Sequence, residues 1–338
     1  MSDVILPSKD SLTESGLDYD FDVWKGISRL RKKKNAVILA HYYQDPEIQD
    51  LADFVGDSLD LSRAAAATDA DMIVFCGVRF MAEVAKILSP NKTVVIPDAE
   101  AGCSLEDACP VDEFKEFRAS HPDHLAITYI NCSAGVKAES DIVVTSSNAE
   151  YIINQIPKDQ KIIFAPDRHL GAWLEKKTGR DFLLWNGVCI VHDRFSEREL
   201  IKLKGQYPSA LVAAHPECHE GILQYADHIG STRSLLDFVV RSPEKEFIIA
   251  TEQHILHEMQ KQAPNKVFMP APGSDGTCSC SNCPFMELNT LEKLYLSMAN
   301  ETPRIEMDEV LRLSAYESLK KMLEMSPPAS QKTVQAAE

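Results

Sequence analysis

One pattern of residues occurs three times in the sequence, at intervals of 86 to 88 residues. Apolar, strand-like runs end at His41, Tyr129 and His215. Tyr129 lies 88 residues after His41 and 86 residues before His215. A second polar side chain follows two positions later in each copy: Tyr43, Asn131 and Glu217. Because a fixed period marks repeated supersecondary units, we expect the chain to fold as three related units.

Two further sets of residues follow the same period. A residue with a hydroxyl group stands where each copy begins a helix-like stretch: Ser58, Ser146 and Thr232. A cysteine closes the first copy (Cys103) and the second (Cys189), 86 residues apart. The third copy has a loop at this point that carries Cys278, Cys280 and Cys283.

Strand-length apolar runs alternate with amphipathic stretches along the chain, which is typical of parallel sheets covered by helices. The predicted fold class is therefore α/β, with three pseudo-threefold-related αβα (Rossmann-like, parallel-sheet) domains around a central active site. The expected divisions are an N-terminal extension (1–25), repeat 1 (26–110), repeat 2 (111–197), repeat 3 (198–290), and C-terminal helices packing on repeat 1 with a flexible tail (291–338).

The ends of the first strands are the expected site, since ligands of open α/β sheets bind at the carboxyl ends of the strands. Side chains at positions i and i+2 share a face, so the three polar pairs are predicted to converge. The alternative is that each is a polar residue satisfied at a strand end. The three hydroxyl residues are expected either to cap helices or to hold an anion at helix N-termini.

The equivalent positions of the cysteines predict that three thiolates meet: Cys103, Cys189 and one cysteine of the 278–283 loop. Three thiolates can hold a 4Fe–4S cluster and leave one iron open. Zinc and plain buried thiols are the alternatives. Among the other cysteines, Cys76 is expected in the core and Cys132 and Cys218 beside the site, while Cys109 has no assigned role.

Composition excludes some partners and predicts a compartment. The formal net charge of −16 disfavours nucleic acid, whose phosphates this surface would repel. No apolar run approaches the roughly 18–20 residues that span a bilayer, which argues against a membrane. The acidic start lacks the order of a secretory signal, and nine cysteines is an odd count for a disulfide scaffold. A cytoplasmic protein is therefore expected.

Several strings resemble one family, quinolinate synthase, in order and at its spacing from about Ala36 to Tyr295. They are AHYYQ, GDSLDLSR, AGCSL, YINCSA, WNGVCIVHD, AHPEC, GST, ATE and CPFMELNTLEKLYL. The resemblance implies condensation of iminoaspartate with dihydroxyacetone phosphate, with loss of phosphate and two waters, to give quinolinate for NAD biosynthesis. It also implies one 4Fe–4S cluster per chain, and an aspartate oxidase or dehydrogenase that supplies iminoaspartate.

The resemblance implies roles for individual residues. The cluster ligands map to Cys103, Cys189 and Cys283, with His192 near the cluster. Glu217, His215, Tyr43 and His41 are the implied catalytic residues. The implied substrate contacts are His41, Tyr43, Ser58, Tyr129, Asn131, Ser146, His215, Glu217, Ser231 and Thr232.

Two other functions and one departure from the family pattern accompany this assignment. The alternatives are a different three-cysteine iron–sulfur dehydratase acting on a hydroxy acid, and an iron–sulfur sensor or metal-binding module. Some family members carry C-x-x-C-x-x-C before the proline, whereas this chain has Cys278-Ser-Cys280-Ser-Asn-Cys283. A redox role for Cys278 and Cys280 is a hypothesis that this departure puts in doubt.

Overall fold

The computed structural model describes residues 3–5, 22–274 and 281–327, and it shows an α/β protein with three separate sheets. Cys278 and Cys280 lie outside the described residues. The elements that precede and build the first sheet are β1 (Asp3–Ile5), α1 (Val23–Lys33), β2 (Ala36–His41), α2 (Pro46–Leu51), β3 (Phe54–Gly56), α3 (Ser58–Ala67), β4 (Met72–Cys76), α4 (Arg79–Leu88) and β5 (Thr93–Val95).

The other two sheets and the C-terminal elements follow along the chain. The second unit comprises α5 (Ser104–Asp107), α6 (Val111–Ala119), β6 (His124–Tyr129), α7 (Ala134–Ala138), β7 (Ile142–Val144), α8 (Ala149–Ile153), β8 (Lys161–Ala165), α9 (Arg168–Thr178) and β9 (Phe182–Leu184). A 3₁₀ turn (His192–Arg194) ends the second unit, and the third comprises α10 (Glu197–Gln206), β10 (Leu211–Ala214), α11 (Glu220–Leu223), β11 (His228–Ile229), α12 (Thr232–Arg241), β12 (Glu246–Ala250), α13 (Ile255–Gln262) and β13 (Val267–Pro270). The last described elements are a 3₁₀ turn (Met286–Leu288), α14 (Leu291–Asn300), β14 (Arg304–Glu306) and α15 (Glu309–Met325).

The three sheets share one strand order, which confirms the predicted fold class. The parallel strands run β3-β2-β4-β5, β7-β6-β8-β9 and β11-β10-β12-β13, so the first strand of each unit always lies between its second and third strands. The four parallel strands of each sheet lie within one of the three predicted repeats, while the repeat boundaries themselves stay a prediction. No helix of the described residues is both long and apolar enough to cross a bilayer.

The central strands are buried on both faces, as parallel strands under helices must be. In β4, Ile73 and Phe75 join one apolar cluster, while Met72 and Val74 join another on the opposite face of the sheet. This explains why β4 appears in the sequence as a continuous apolar run and not as an alternating one.

A carboxylate fixes the second strand to the first in every unit. Asp53, Asp141 and Asp227 each accept a hydrogen bond of 2.8 Å from a backbone N–H of the first strand, fifteen residues earlier in the chain. Each also donates its own backbone N–H to the carbonyl of that same residue. These aspartates follow the 88- and 86-residue period and set the register where the second strands are only two or three residues long.

The terminal segments connect the units. β14 pairs antiparallel with β5 and with β1, so both extend the first sheet. α14 packs against α1 and β4 of the first unit. The sequence analysis expects α15 on the first repeat as well, but it lies mainly against α7 and β7 of the second unit and contacts α4 of the first to a smaller extent.

Candidate active site where the three units meet

The carboxyl ends of β2, β6 and β10 border one cavity of about 60 Å³. Its lining divides into a polar part and a part with apolar side chains and thiols. The polar part contains His41, Tyr43, Ser58, Tyr129, Asn131, Ser146, His192, His215, Glu217 and Thr232. The other part contains Cys103, Cys189 and Cys283 with Val78, Phe80, Met81, Val191 and Met286. The structure therefore brings together nearly all of the sequence-predicted site residues.

Two of the strand ends form the same local turn. In the first unit the backbone N–H of Tyr43 donates to Nδ1 of His41 at 3.2 Å, and in the third the N–H of Glu217 donates to Nδ1 of His215 at 3.4 Å. Because Nδ1 accepts in both cases, the neutral rings carry their hydrogen on Nε2. Burial, with smaller contributions from neighbouring charges, lowers the pKa of both His41 and His215 to about 3. Both rings are thus neutral Nε2–H donors at the cavity wall.

Glu217 is held as an acceptor by two donors. The Tyr129 hydroxyl donates to Oε1 at 2.6 Å, and Nδ1 of His192 lies 3.0 Å from Oε2. Burial alone would raise the pKa of Glu217, but the His192 and His215 rings and the Tyr129 hydroxyl outweigh it and hold that pKa below its usual range. Burial raises the pKa of Tyr129 well above its ordinary value. Glu217 is therefore a carboxylate, and Tyr129 is a neutral phenol beside it.

Tyr43 contacts two threonines through its hydroxyl group. The oxygen lies 2.9 Å from Oγ1 of Thr232 and 2.6 Å from Oγ1 of Thr251. Thr251 also lies 2.9 Å from Nε2 of His192. Burial raises the pKa of Tyr43 well above its ordinary value, so the phenol stays protonated.

Thr251 and Glu252 are site residues that the sequence reasoning missed. Glu252 is fully buried, lines the cavity, and accepts the backbone N–H of Cys283 at 3.2 Å. Both residues directly follow β12, the third strand of its unit, in the ATE string. The signal available in the sequence was their place at the carboxyl end of a buried strand.

The hydroxyl residues at the helix starts are not the caps. Asp57 is the N-cap of α3 and Ser231 is the N-cap of α12, each through its own side chain. Ser58 and Thr232 are the first residues of these helices, and Ser146 lies in the turn before α8. Their hydroxyl groups are therefore free of the capping role and line the cavity, whereas Ser231 does not line it.

Each of the three cavity cysteines precedes a short helical turn. Backbone N–H groups at the start of the turn hydrogen-bond the sulfur: those of Leu105 and Glu106 for Cys103, that of His192 for Cys189, and those of Phe285 and Met286 for Cys283. Burial raises the pKa of Cys103 and Cys189 well above the ordinary value and that of Cys283 to about 11. The N–H groups favour negative sulfur, while burial requires a compensating positive charge.

The remaining described cysteines do not line the cavity. Cys76 lies in the core of the first unit, as predicted. Cys109 and Cys132 share one apolar cluster in the second unit. Cys218 is buried and donates to the carbonyl of Ala250 at 3.3 Å.

A second ligand arrangement overlaps the first. Ligand atoms of Cys189, His192 and Glu217 lie within 4.8 Å of one another. Sulfur, imidazole and carboxylate together suit a single zinc ion as well as iron. The site thus contains two donor sets that share Cys189.

Comparison with known proteins identifies the family. The family model described as quinolinate synthetase A protein matches residues 25–324. Quinolinate synthase from Chloroherpeton thalassium is 59% identical over 305 residues, which are 90% of this chain and 95% of the relative. The quinolinate synthases of Nostoc sp. and Trichormus variabilis are 59% and 58% identical over 305 residues, covering 90% of this chain and 94% of each relative. This chain belongs to the quinolinate synthetase A family.

Proposed function

We propose that the chain is a quinolinate synthase, which condenses iminoaspartate with dihydroxyacetone phosphate, releases phosphate and two waters, and so serves NAD biosynthesis. Family membership supports the assignment. The observation that carries it is the single cavity that combines three thiols with neutral donors and the Glu217 carboxylate. A redox sensor has no use for such a polar set. A dehydratase of another hydroxy acid stays the second candidate.

The donor set fits a 4Fe–4S cluster held by Cys103, Cys189 and Cys283. The three sulfurs come from three separate parts of the fold and lie among apolar side chains, with backbone N–H groups directed at each. Such a cluster, when bound, would supply an iron with an open position as a Lewis acid for a substrate carboxylate or a leaving hydroxyl.

The neutral donors of the cavity would bind the anionic groups of the substrates. Nε2–H of His41 and of His215, with the hydroxyls of Ser58, Ser146 and Thr232, are suited to phosphate and carboxylate oxygens. Tyr129 and Asn131 would orient a carboxylate or imine. Oδ1 of Asn131 is buried without a hydrogen-bond partner, which marks it as a position for a substrate donor.

Glu217 would transfer protons with His215. Its carboxylate is ionised by its surroundings and can accept a proton from substrate carbon, while the adjacent Nδ1–H of His192 and O–H of Tyr129 compensate the changing charge. Tyr43, a neutral phenol, would assist the rearrangement and water loss. Ser231 would act through the backbone of α12, since its side chain caps that helix.

Iminoaspartate is unstable, so an aspartate oxidase or dehydrogenase is the proposed supplier, with transient contact between the two proteins. Nucleic acid and membrane are not proposed partners. The cytoplasmic location expected from the sequence stays a prediction.

The test compares wild type with Cys103→Ala, Cys189→Ala and Cys283→Ala, purified without oxygen. We expect about four irons per wild-type chain, by the stoichiometry of a 4Fe–4S cluster, and quinolinate from the two substrates. All three variants should lose both. Cys76→Ala removes a buried thiol that does not line the cavity, serves as the matched control, and should keep both. Zinc without iron in wild type would point to the Cys189–His192–Glu217 set and contradict the cluster assignment.

A further inference from the structure

Thr251 connects two site residues without lining the cavity itself. It is fully buried directly after β12, and its hydroxyl group lies 2.6 Å from the Tyr43 oxygen and 2.9 Å from Nε2 of His192. The two partners come from different parts of the fold, since Tyr43 follows β2 and His192 begins the turn after Cys189. One hydroxyl of the third unit therefore joins side chains from the other two.

The direction of each hydrogen bond follows from what the groups can donate. An ionised Glu217 only accepts, so the hydrogen of a neutral His192 ring lies on Nδ1, 3.0 Å from Oε2. Nε2 of the same ring must then accept a hydrogen bond, and the Thr251 hydroxyl donates its hydrogen to it. Thr251 in turn accepts from the Tyr43 hydroxyl, which accepts from Thr232 at 2.9 Å.

We propose that Thr251 is a positioning residue that fixes the Tyr43 hydroxyl and the His192 tautomer in one hydrogen-bond chain ending on Glu217. Without the Thr251 hydroxyl, Nε2 of His192 loses its donor and Tyr43 its acceptor, while the volume of the side chain can be kept. The kinetic part of this role rests on the proposed function.

Thr251→Val separates the packing of the side chain from its hydrogen bonding, because it keeps the shape and removes the hydroxyl. We expect kcat for quinolinate formation to fall by roughly 10- to 100-fold, with KM for dihydroxyacetone phosphate changed by less than about threefold, because positioning and not binding is lost. Thr251→Ser retains the hydroxyl and should recover kcat to within about threefold of wild type.

Thr178→Val provides the matched control. Thr178 is also buried, and its hydroxyl donates to the carbonyl of Leu174 at 2.7 Å inside α9, away from the cavity. This variant should lose stability as Thr251→Val does but keep kcat. A fall in kcat that Thr251→Ser fails to recover would show a packing role and overturn the proposal, as would unchanged kcat in Thr251→Val.

A double-mutant cycle of Thr251→Val with Tyr43→Phe gives a readout apart from activity. Both changes remove the same hydrogen bond, so their effects on the urea unfolding free energy of the purified protein should not add. The double variant should likewise be no more than about threefold slower than the slower single variant. Additive unfolding free energies would overturn the connection. If wild type forms no quinolinate, the proposed function fails, whereas the unfolding cycle still decides whether Thr251 and Tyr43 are coupled.

Discussion

Replacing Tyr129 by phenylalanine removes one of the two donors that hold Glu217. The lost bond is a short one, 2.6 Å from a buried phenol to a buried carboxylate, and the ring itself keeps its place in the core. Hydrogen bonds to charged groups contribute about 1.5–3 kcal/mol. Since one pKa unit corresponds to about 1.4 kcal/mol, the pKa of Glu217 should rise by roughly one to two units.

The direction of the pH effect follows from this shift. Glu217 must be ionised to accept a proton, and the Tyr129 hydroxyl stabilises the ionised form. In Tyr129→Phe the carboxylate therefore takes up a proton at a higher pH, and the acidic limb of kcat/KM for quinolinate formation should move upward by the same one to two units.

Tyr42→Phe is the control for this experiment. Tyr42 is buried directly after β2 and does not line the cavity, and its hydroxyl lies 3.4 Å from the Arg233 guanidinium. It should leave the acidic limb in place. An unshifted limb in Tyr129→Phe, with a rate within about threefold of wild type, would refute the assignment of Glu217 as the base held by Tyr129.

Two further predictions concern stability. His41 and His215 have their pKa lowered to about 3 in the fold, against about 6.5 in an unfolded chain, so below pH 6.5 the unfolded state binds more protons and each ring lowers the unfolding free energy as pH falls. From pH 7 to pH 5 each ring lowers the unfolding free energy by about 2 kcal/mol. The urea unfolding free energy of His41→Asn should therefore change correspondingly less between these two pH values. A change equal to that of wild type would contradict the burial argument. Asp141→Ala removes the carboxylate that accepts from Ala126 N–H at 2.8 Å and pairs with Arg118, and it should lower the urea unfolding free energy by about 1–3 kcal/mol, whereas no loss would show that β7 does not depend on this bond.

The sequence predicted the features of the fold that repeat. The strand ends at His41, Tyr129 and His215 and the cysteines at 103 and 189 follow one period, so their convergence could be inferred without coordinates. The second strands could not be inferred, because two or three residues carry no periodic signal. Their fixing aspartates do follow the period, and aligning Asp53, Asp141 and Asp227 would have revealed them.

Thr251 was missed because its position does not repeat among the three units. The residues directly after the third strands are Gly77, Pro166 and Thr251, so this position differs in every unit and an alignment of the repeats gives it no weight. Its importance comes from two contacts with other units, and such contacts depend on how the units pack. The docking of α15 against α7 and β7 was missed for the same reason, since an amphipathic helix shows which face is buried but not what covers it.

The three cavity cysteines begin their turns in different parts of the chain, 86 and 94 residues apart. A metal centre bound to all three would act as a cross-link that closes two long loops and restricts the unfolded chain, much as disulfides do. None of the three turns can hold such a centre alone, so metal uptake has to follow the folding and docking of all three units. Loss of metal should then loosen the contacts between units before it affects any one sheet, and hydrogen exchange at the unit boundaries would be the first place to see it.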